Sequence, residues 1–375
     1  MRILLSLACL VALLAAACTT DGGATATPSP TATGEGTATA PPAATGTPAA
    51  TATPTATSAA TPSDGGVGTI NAVTAAALEE VAVADAGTGV QHLVWSTSGS
   101  LVPGALWLVE TRTIQEVDPV TGEVTDGIFQ LSDTERILGM SSDGMIATTG
   151  ADDSLVQIRR LYHTAIEQTL DPGGYTTAAS FYGDNRVALV SGEAIEVGLW
   201  NVGSGERVGE LTGFETAAPV YNAVVSEDGA YAAWVSRATL QFSEVESGDF
   251  LERAQFEEFI GAYAFSPDDH TFASAVGPQV QTWDPATGES LQEFTASGLV
   301  SSVAFSNAQP LLVTGGDGFA IWSLEDGEQV ASYDAAQTGD VRLVSVSPRG
   351  DTLATIDTGD RTDDPLRLRL WRPAE

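Results

Sequence analysis

Tyr263–Glu289 reads YAFSPDDHTFASAVGPQVQTWDPATGE, and this stretch decides the fold. Ala262–Phe265 is a short apolar run that stops at Ser266, and Pro267-Asp268-Asp269 forms a turn. Thr271–Val276 is a second run, closed by Gly277-Pro278. Gln279–Trp283 alternates polar and apolar residues, and Ala286-Thr287-Gly288-Glu289 turns into a fourth segment. Short runs rich in aromatic and β-branched residues, cut by Pro, Gly and Asp, predict four antiparallel strands joined by tight turns.

The unit recurs. Aligned on the Ser that ends the first strand, Trp95-Ser96, Met140-Ser141, Val225-Ser226, Phe265-Ser266, Phe305-Ser306 and Val346-Ser347 fall into register, with Tyr182 in the Ser place of one further copy. These seven anchors are 45, 41, 44, 40, 40 and 41 residues apart. A period near 40–45 residues with four strands per repeat is the signature of propeller blades. Third strands tend to end in an aromatic residue, as at Trp200, Trp283, Trp322 and Trp371, and one place in successive repeats points to packing between blades. Gly-acid pairs open the fourth strands at Gly122-Glu123, Gly205-Glu206, Gly248-Asp249, Gly288-Glu289 and Gly327-Glu328. The last repeat stops after its third strand, Leu366–Trp371. Leu78–Val83, ahead of the first repeat, resembles the fourth strands Glu328–Tyr333 and Ser290–Phe294. The N-terminal strand is therefore expected to complete the last blade and close a ring of seven, leaving no unpaired edge between first and last.

From Leu78 to Trp371 the repeats resemble those of the WD40 family, most closely the divergent bacterial WD40-like propellers. Pro267-Asp268, Trp283-Asp284 and Pro348-Arg349-Gly350 are the nearest matches. The Gly-His dipeptide of many WD40 repeats is absent, Trp-Asp occurs once, and the second repeat ends its third strand in Arg159-Arg160-Leu161. The family's Asp–His–Ser–Trp network therefore cannot form in full, and packing must carry the stability. The resemblance implies a platform for protein partners and transfers no site residue.

Ahead of the repeats, Met1-Arg2, the apolar Ile3–Leu14 and Ala15-Ala16-Ala17-Cys18 read as a signal peptide, the apolar run being too short to span a bilayer. Residues 1–18 resemble a bacterial lipoprotein signal with Cys18 as the lipid acceptor. Ala15-x-Ala17 also suits ordinary secretory cleavage, so plain secretion is the alternative. Residues 19–66 are a Thr/Ala/Pro run with almost no large apolar side chain, and they predict a disordered tether. Residues 67–375 are expected to form the propeller.

All 15 basic residues of the 375 are Arg, against 49 acids, for a net charge of −34. One Arg and three acids precede residue 67, which leaves 14 Arg and 46 acids on the repeats. Such a surface repels nucleic acid and anionic lipid headgroups. Without Lys, Schiff-base chemistry and Gly-Lys phosphate loops are excluded. Both cysteines, Cys9 and Cys18, lie in the signal, so the repeats can hold no disulfide or cysteine metal site. His92, His163 and His270 fall in three different repeats. No cofactor or metal is expected.

One irregular segment stands out. Asp357-Thr358-Gly359-Asp360-Arg361-Thr362-Asp363-Asp364-Pro365 separates the second and third strands of the last repeat, where other repeats use a much shorter link. Asp357, Asp360, Arg361, Asp363 and Asp364 are the candidate partner-contacting residues; calcium binding and an inert solvated loop are the other readings. The expected function is a non-catalytic, exported scaffold or binding module, monomeric and lipid-anchored at the bacterial cell envelope, with a protein or peptide partner. The alternative is an enzyme or ligand binder acting on carbohydrate or small molecules through carboxylates at the channel mouth; a purely structural envelope role is a third reading.

Overall fold

A Ser at the end of an inner strand can turn the chain because its hydroxyl can accept a backbone N–H from beyond the turn while donating to a carboxylate within it. In the computed structural model the Oγ of Ser266 accepts the Thr271 N–H at 2.9 Å and donates to the Asp268 carboxylate at 2.6 Å. Ser226 does the same with Tyr231 N–H and Asp228, at 3.0 and 2.7 Å. The Ser hydroxyl holds the start of the next strand in this way in blades 1, 2, 4, 5 and 7. The structure describes residues 68–97, 102–150, 154–163, 165–183, 185–191, 196–212, 220–358 and 365–374, all within one compact unit.

Seven four-stranded antiparallel sheets result, each running from an inner to an outer strand. The inner strands are Val90–Trp95, Ile137–Met140, Thr176–Tyr182, Val220–Val225, Ile260–Phe265, Ser302–Phe305 and Val341–Val346. Each ends at the residue before the anchor or, in blade 3, at the anchor itself. Inner strands of blades 2 and 3, 3 and 4, 5 and 6, and 6 and 7 pack side by side, and that of blade 7 packs against that of blade 1. The N-terminal strand Leu78–Asp85 pairs with Arg367–Pro373 and so supplies the outer strand of blade 7. The fold is a closed seven-bladed β-propeller, as the repeat count predicts.

One strand departs from the expected pattern. In blade 1 the chain after Gly122-Glu123 makes only a single bridge, Val117 to Val124, and the outer strand is the two-residue Phe129–Gln130. The Thr125 hydroxyl donates to Glu116 O, and Asp126-Gly127 then carries the chain away before pairing resumes.

The core lies between blades rather than within them. Seven buried clusters form, each drawing on two adjacent blades. Trp200, Trp283, Trp322 and Trp371 belong to them and are buried. Trp371 meets Phe319 edge-on at 5.2 Å, and Trp283 meets Phe256 at 6.1 Å. Three of these indoles reach a hydroxyl on the second strand: the N–H of Trp283 donates to Ser274 at 2.9 Å, Trp322 to Thr314 at 3.0 Å and Trp371 to Thr355 at 3.1 Å. In blade 3 the corresponding position is Leu189, and the Trp200 N–H has no hydrogen-bond partner. Trp283→Phe should therefore cost about 1 kcal/mol more than Trp200→Phe in denaturant melts, because only the first breaks a hydrogen bond.

Blades 2 and 4 solve the same position differently. Arg159 stands in the Trp place of blade 2 and bonds to Glu135 and Gln157, both at 2.7 Å. Blade 4 exchanges the pair, with Trp234 on the second strand and Ser243 on the third.

Candidate interaction surface

The ring has two faces. One carries the turns between first and second strands and between third and fourth. The other carries the links between blades and the hairpins between second and third strands, and is called the loop face below.

The turn face holds the mouth of a central channel of about 920 Å³, walled by Val94, Phe181, Val224, Ala264 and neighbours from all seven blades. Among the described residues three carboxylates, Asp143, Glu227 and Asp269, line it. Asp269 is the unusual one. Blades 2, 4 and 7 place Gly144, Gly229 and Gly350 at this turn position with φ of 90°, 75° and 68°, and Asp269 occupies it at φ 60°. A left-handed non-Gly residue costs roughly 1–2 kcal/mol. The compensation is visible: its two carboxylate oxygens accept the backbone N–H groups of Glu227 at 2.7 Å and Asp228 at 2.8 Å, tying blade 5 to the turn of blade 4. Two such charge-assisted bonds, each about 1.5–3 kcal/mol, outweigh the strain. Asp269→Gly is thus expected to lower stability by about 2 kcal/mol despite relieving the backbone, and Asp269→Ala by more; thermal melts of both would check this.

Burial pushes the Asp269 carboxyl up, against the pull of its two amides. Glu227 is pushed up by burial first and by the charge of Asp269 second. Carboxylates with raised pKa values do meet at the mouth, but their chemistry is largely committed. Both oxygens of Asp269 hold a turn, while Asp143 accepts the Ser141 hydroxyl and faces Arg160 at 3.4 Å. Of these three, Glu227 is the one that is exposed and whose carboxylate has no hydrogen-bond partner among the described residues.

The loop face is different in character. Tyr175, Phe259 and Leu299 are 47%, 61% and 66% exposed. Each lies in a link between blades, seven residues before an anchor, just ahead of a buried residue: Thr176, Ile260 and Val300. The links are pinned to the hairpins beside them, Ile260 N–H to Arg237 O at 2.8 Å and Val300 N–H to Gly277 O at 2.9 Å. The apolar side chains are therefore held outward by rigid backbone rather than left loose. Tyr175 lies under the guanidinium of Arg136 at 4.9 Å. Sequence reasoning does not single out these three, because the place seven before the anchor is apolar here but holds Gly89, Thr134 and Asp340 in other repeats.

Of the candidate residues drawn from the last blade, Asp360, Arg361, Asp363 and Asp364 lie outside the described residues, as does Cys18. Asp357 does not belong to a solvated loop. It is the last residue of the strand Leu353–Asp357 and is fully buried. Its carboxylate takes the Arg369 Nε–H at 2.6 Å and faces Arg367 at 3.4 Å, and Arg369 reaches on to Glu80 in the closing strand. Pairing with Arg367 across the sheet draws this acid inside, so it cannot meet a partner. Among the described residues no group of three or more His, Cys, Asp or Glu is arranged to hold a metal ion.

The N-terminal approach is fixed as well. Ile70 is buried and its N–H donates to Gly350 O at 2.7 Å, on the turn face. Tyr333 donates its hydroxyl to Ala75 O at 2.9 Å and accepts the Leu78 N–H at 2.7 Å. The chain thus enters the propeller on the turn face, leaving the loop face on the opposite side.

Comparison with known proteins agrees with this architecture. The family model "WD domain, G-beta repeat" matches residues 288–322, which run from the outer strand of blade 5 through the third strand of blade 6. A chain in the solved structure "Crystal Structure of Mitotic Checkpoint Complex" superposes with a TM-score of 0.63 at 18% identity, over 88% of this chain and 99% of that one, a likeness of fold. No curated protein sequence matches the chain. The repeat, the seven blades and the strand that closes them identify the chain as a seven-bladed β-propeller with a WD40 repeat.

Proposed function

We propose that the protein is a non-catalytic interaction scaffold, exported and anchored at the bacterial cell envelope through lipid on Cys18, with the segment 19–66 as its tether. The observation that carries the reading is the set of exposed apolar residues Tyr175, Phe259 and Leu299 on the face opposite the chain's entry. Exposed apolar groups on rigid backbone are suited to burial against a partner. WD40 propellers typically serve as protein-interaction platforms, which favours a protein ligand. The N-terminal 18 residues, with their apolar run and Ala-Ala-Cys, support export and anchoring.

A cross-linked pull-down from intact cells with the tagged full chain tests the scaffold role. The reading expects one stoichiometric envelope partner, retained by Glu227→Gln and lost on Phe259→Ser with Leu299→Ser. Thermal stabilisation by a sugar or by Ca²⁺, with no protein captured, would overturn it in favour of binding in the central channel. For the anchor, Cys18→Ala should move the protein from the membrane fraction to the soluble one; unchanged fractionation would contradict it.

A further inference from the structure

We propose that the loop face at blades 5 and 6 seats a basic segment of the partner protein, one Arg or Lys flanked by apolar residues; this rests on the scaffold reading above. Phe259 and Leu299 lie on successive links and are the two most exposed of the three. Beside Leu299 the surface opens into a cavity of about 180 Å³, lined by Leu299, Phe319, Ala320, Tyr333, Asp317 and Asp334 among others. Among the described residues its lining carries two carboxylates and no cation. Asp334 is occupied, capping the short helix Ala335–Thr338 through the N–H groups of Ala336 and Gln337. Asp317 is exposed at the tip of the hairpin and has no hydrogen-bond or ion-pair partner among the described residues.

An apolar wall ending in a free carboxylate matches the chemistry of a long basic side chain. The alkyl stem packs along Leu299 and Phe319, and the charged head reaches Asp317. Gly298 keeps the arrangement open, because a Cβ there would collide with the Asp317 carboxylate. Glu257 and Glu258, both exposed, precede Phe259 and outnumber the one cation of the adjoining hairpin, the exposed Arg237, so this end of the seat is also negative. The net charge of −34 draws a basic chain towards the protein from a distance, and the local carboxylates fix where it lands. The same charge disfavours an anionic lipid surface as the occupant.

The test is a displayed library of random 16-residue peptides selected on the full chain, with enriched peptides remeasured by fluorescence anisotropy. The expected consensus holds Arg or Lys within three residues of Leu, Phe or Trp. Phe259→Ser with Leu299→Ser should weaken binding on the order of tenfold or more, as for a central apolar contact. Asp317→Asn should weaken it several-fold and reduce its salt dependence, with unchanged melting in each variant. Neutral or acidic consensus peptides that still need Phe259 and Leu299 would overturn the basic partner while leaving the scaffold standing. Peptides indifferent to these variants but lost on Glu227→Gln would overturn both. Failure to enrich any sequence overturns the proposal, as does concentration-dependent dimerisation abolished by Leu299→Ser, which names a second copy as the occupant.

Discussion

A chain that begins at Ala86 should fail to form a stable monomeric propeller, the largest effect expected of any change here. Removing Leu78–Asp85 strips seven register pairs from Arg367–Pro373 and leaves that strand as an open edge. It also removes Ile70, Ala75 and Leu78 from the cluster between blades 6 and 7. Net hydrogen-bond contributions of about 1 kcal/mol each, with the lost burial, sum to roughly 5 kcal/mol or more. For a domain of this size that is about 10 °C or more in melting temperature, and an unpaired edge adds a tendency to associate. Calorimetry and light scattering would check both. A synthetic peptide of residues 68–86 should restore the melt if the strand acts by completing blade 7, and should do nothing if the N-terminus matters only for solubility.

Arg369→Met is expected to produce the second largest effect, with a pH signature of its own. Arg369 links three strands of blade 7: it holds the buried Asp357 of the second strand and Glu80 of the closing strand from its place in the third. Taking away one partner of a buried pair costs about 3–5 kcal/mol, since the remaining charge is left inside. Burial already pushes the Asp357 carboxyl up, opposed by Arg369 first and Arg367 after it. Without Arg369 the folded-state pKa rises further above that of the unfolded chain. Stability from the neutral carboxyl is then fully present below the unfolded pKa and is lost as pH rises through the folded one. The deficit relative to the unsubstituted protein should therefore be largest at pH 7 and shrink towards pH 4. A deficit that does not vary with pH would show that packing by the Arg stem, not its charge, is what matters.

The features legible in the sequence were those that repeat. The anchors, six Ser and one Tyr at a spacing of 40–45 residues, made blade number and register legible, and at five of them the Ser hydroxyl accepts the backbone N–H that opens the next strand. Ring closure was legible since Leu78–Val83 reads like an outer strand and the last repeat lacks one. The four Trp residues read correctly as inter-blade packing. What escaped notice was the non-repeating chemistry. Asp269 looked like any turn acid, and only its contact with the neighbouring blade, 41 and 42 residues away, explains why it stands where other blades use Gly. Asp357 was read with the acidic run that follows it, because the Arg residues that draw it inside lie beyond that run. Phe259 and Leu299 resembled ordinary strand-leading apolar residues; exposure is decided by how the links lie on the hairpins, which no local pattern states.

The most direct measurement of the central claim is site-specific photo-crosslinking in intact cells, with a benzophenone side chain placed singly at positions 259, 299, 227 and 349. The account predicts a discrete partner adduct from 259 and 299, on the loop face, and none from 227 or 349, on the turn face. Adducts formed only from 227 and 349 would contradict it and place the working surface at the channel mouth.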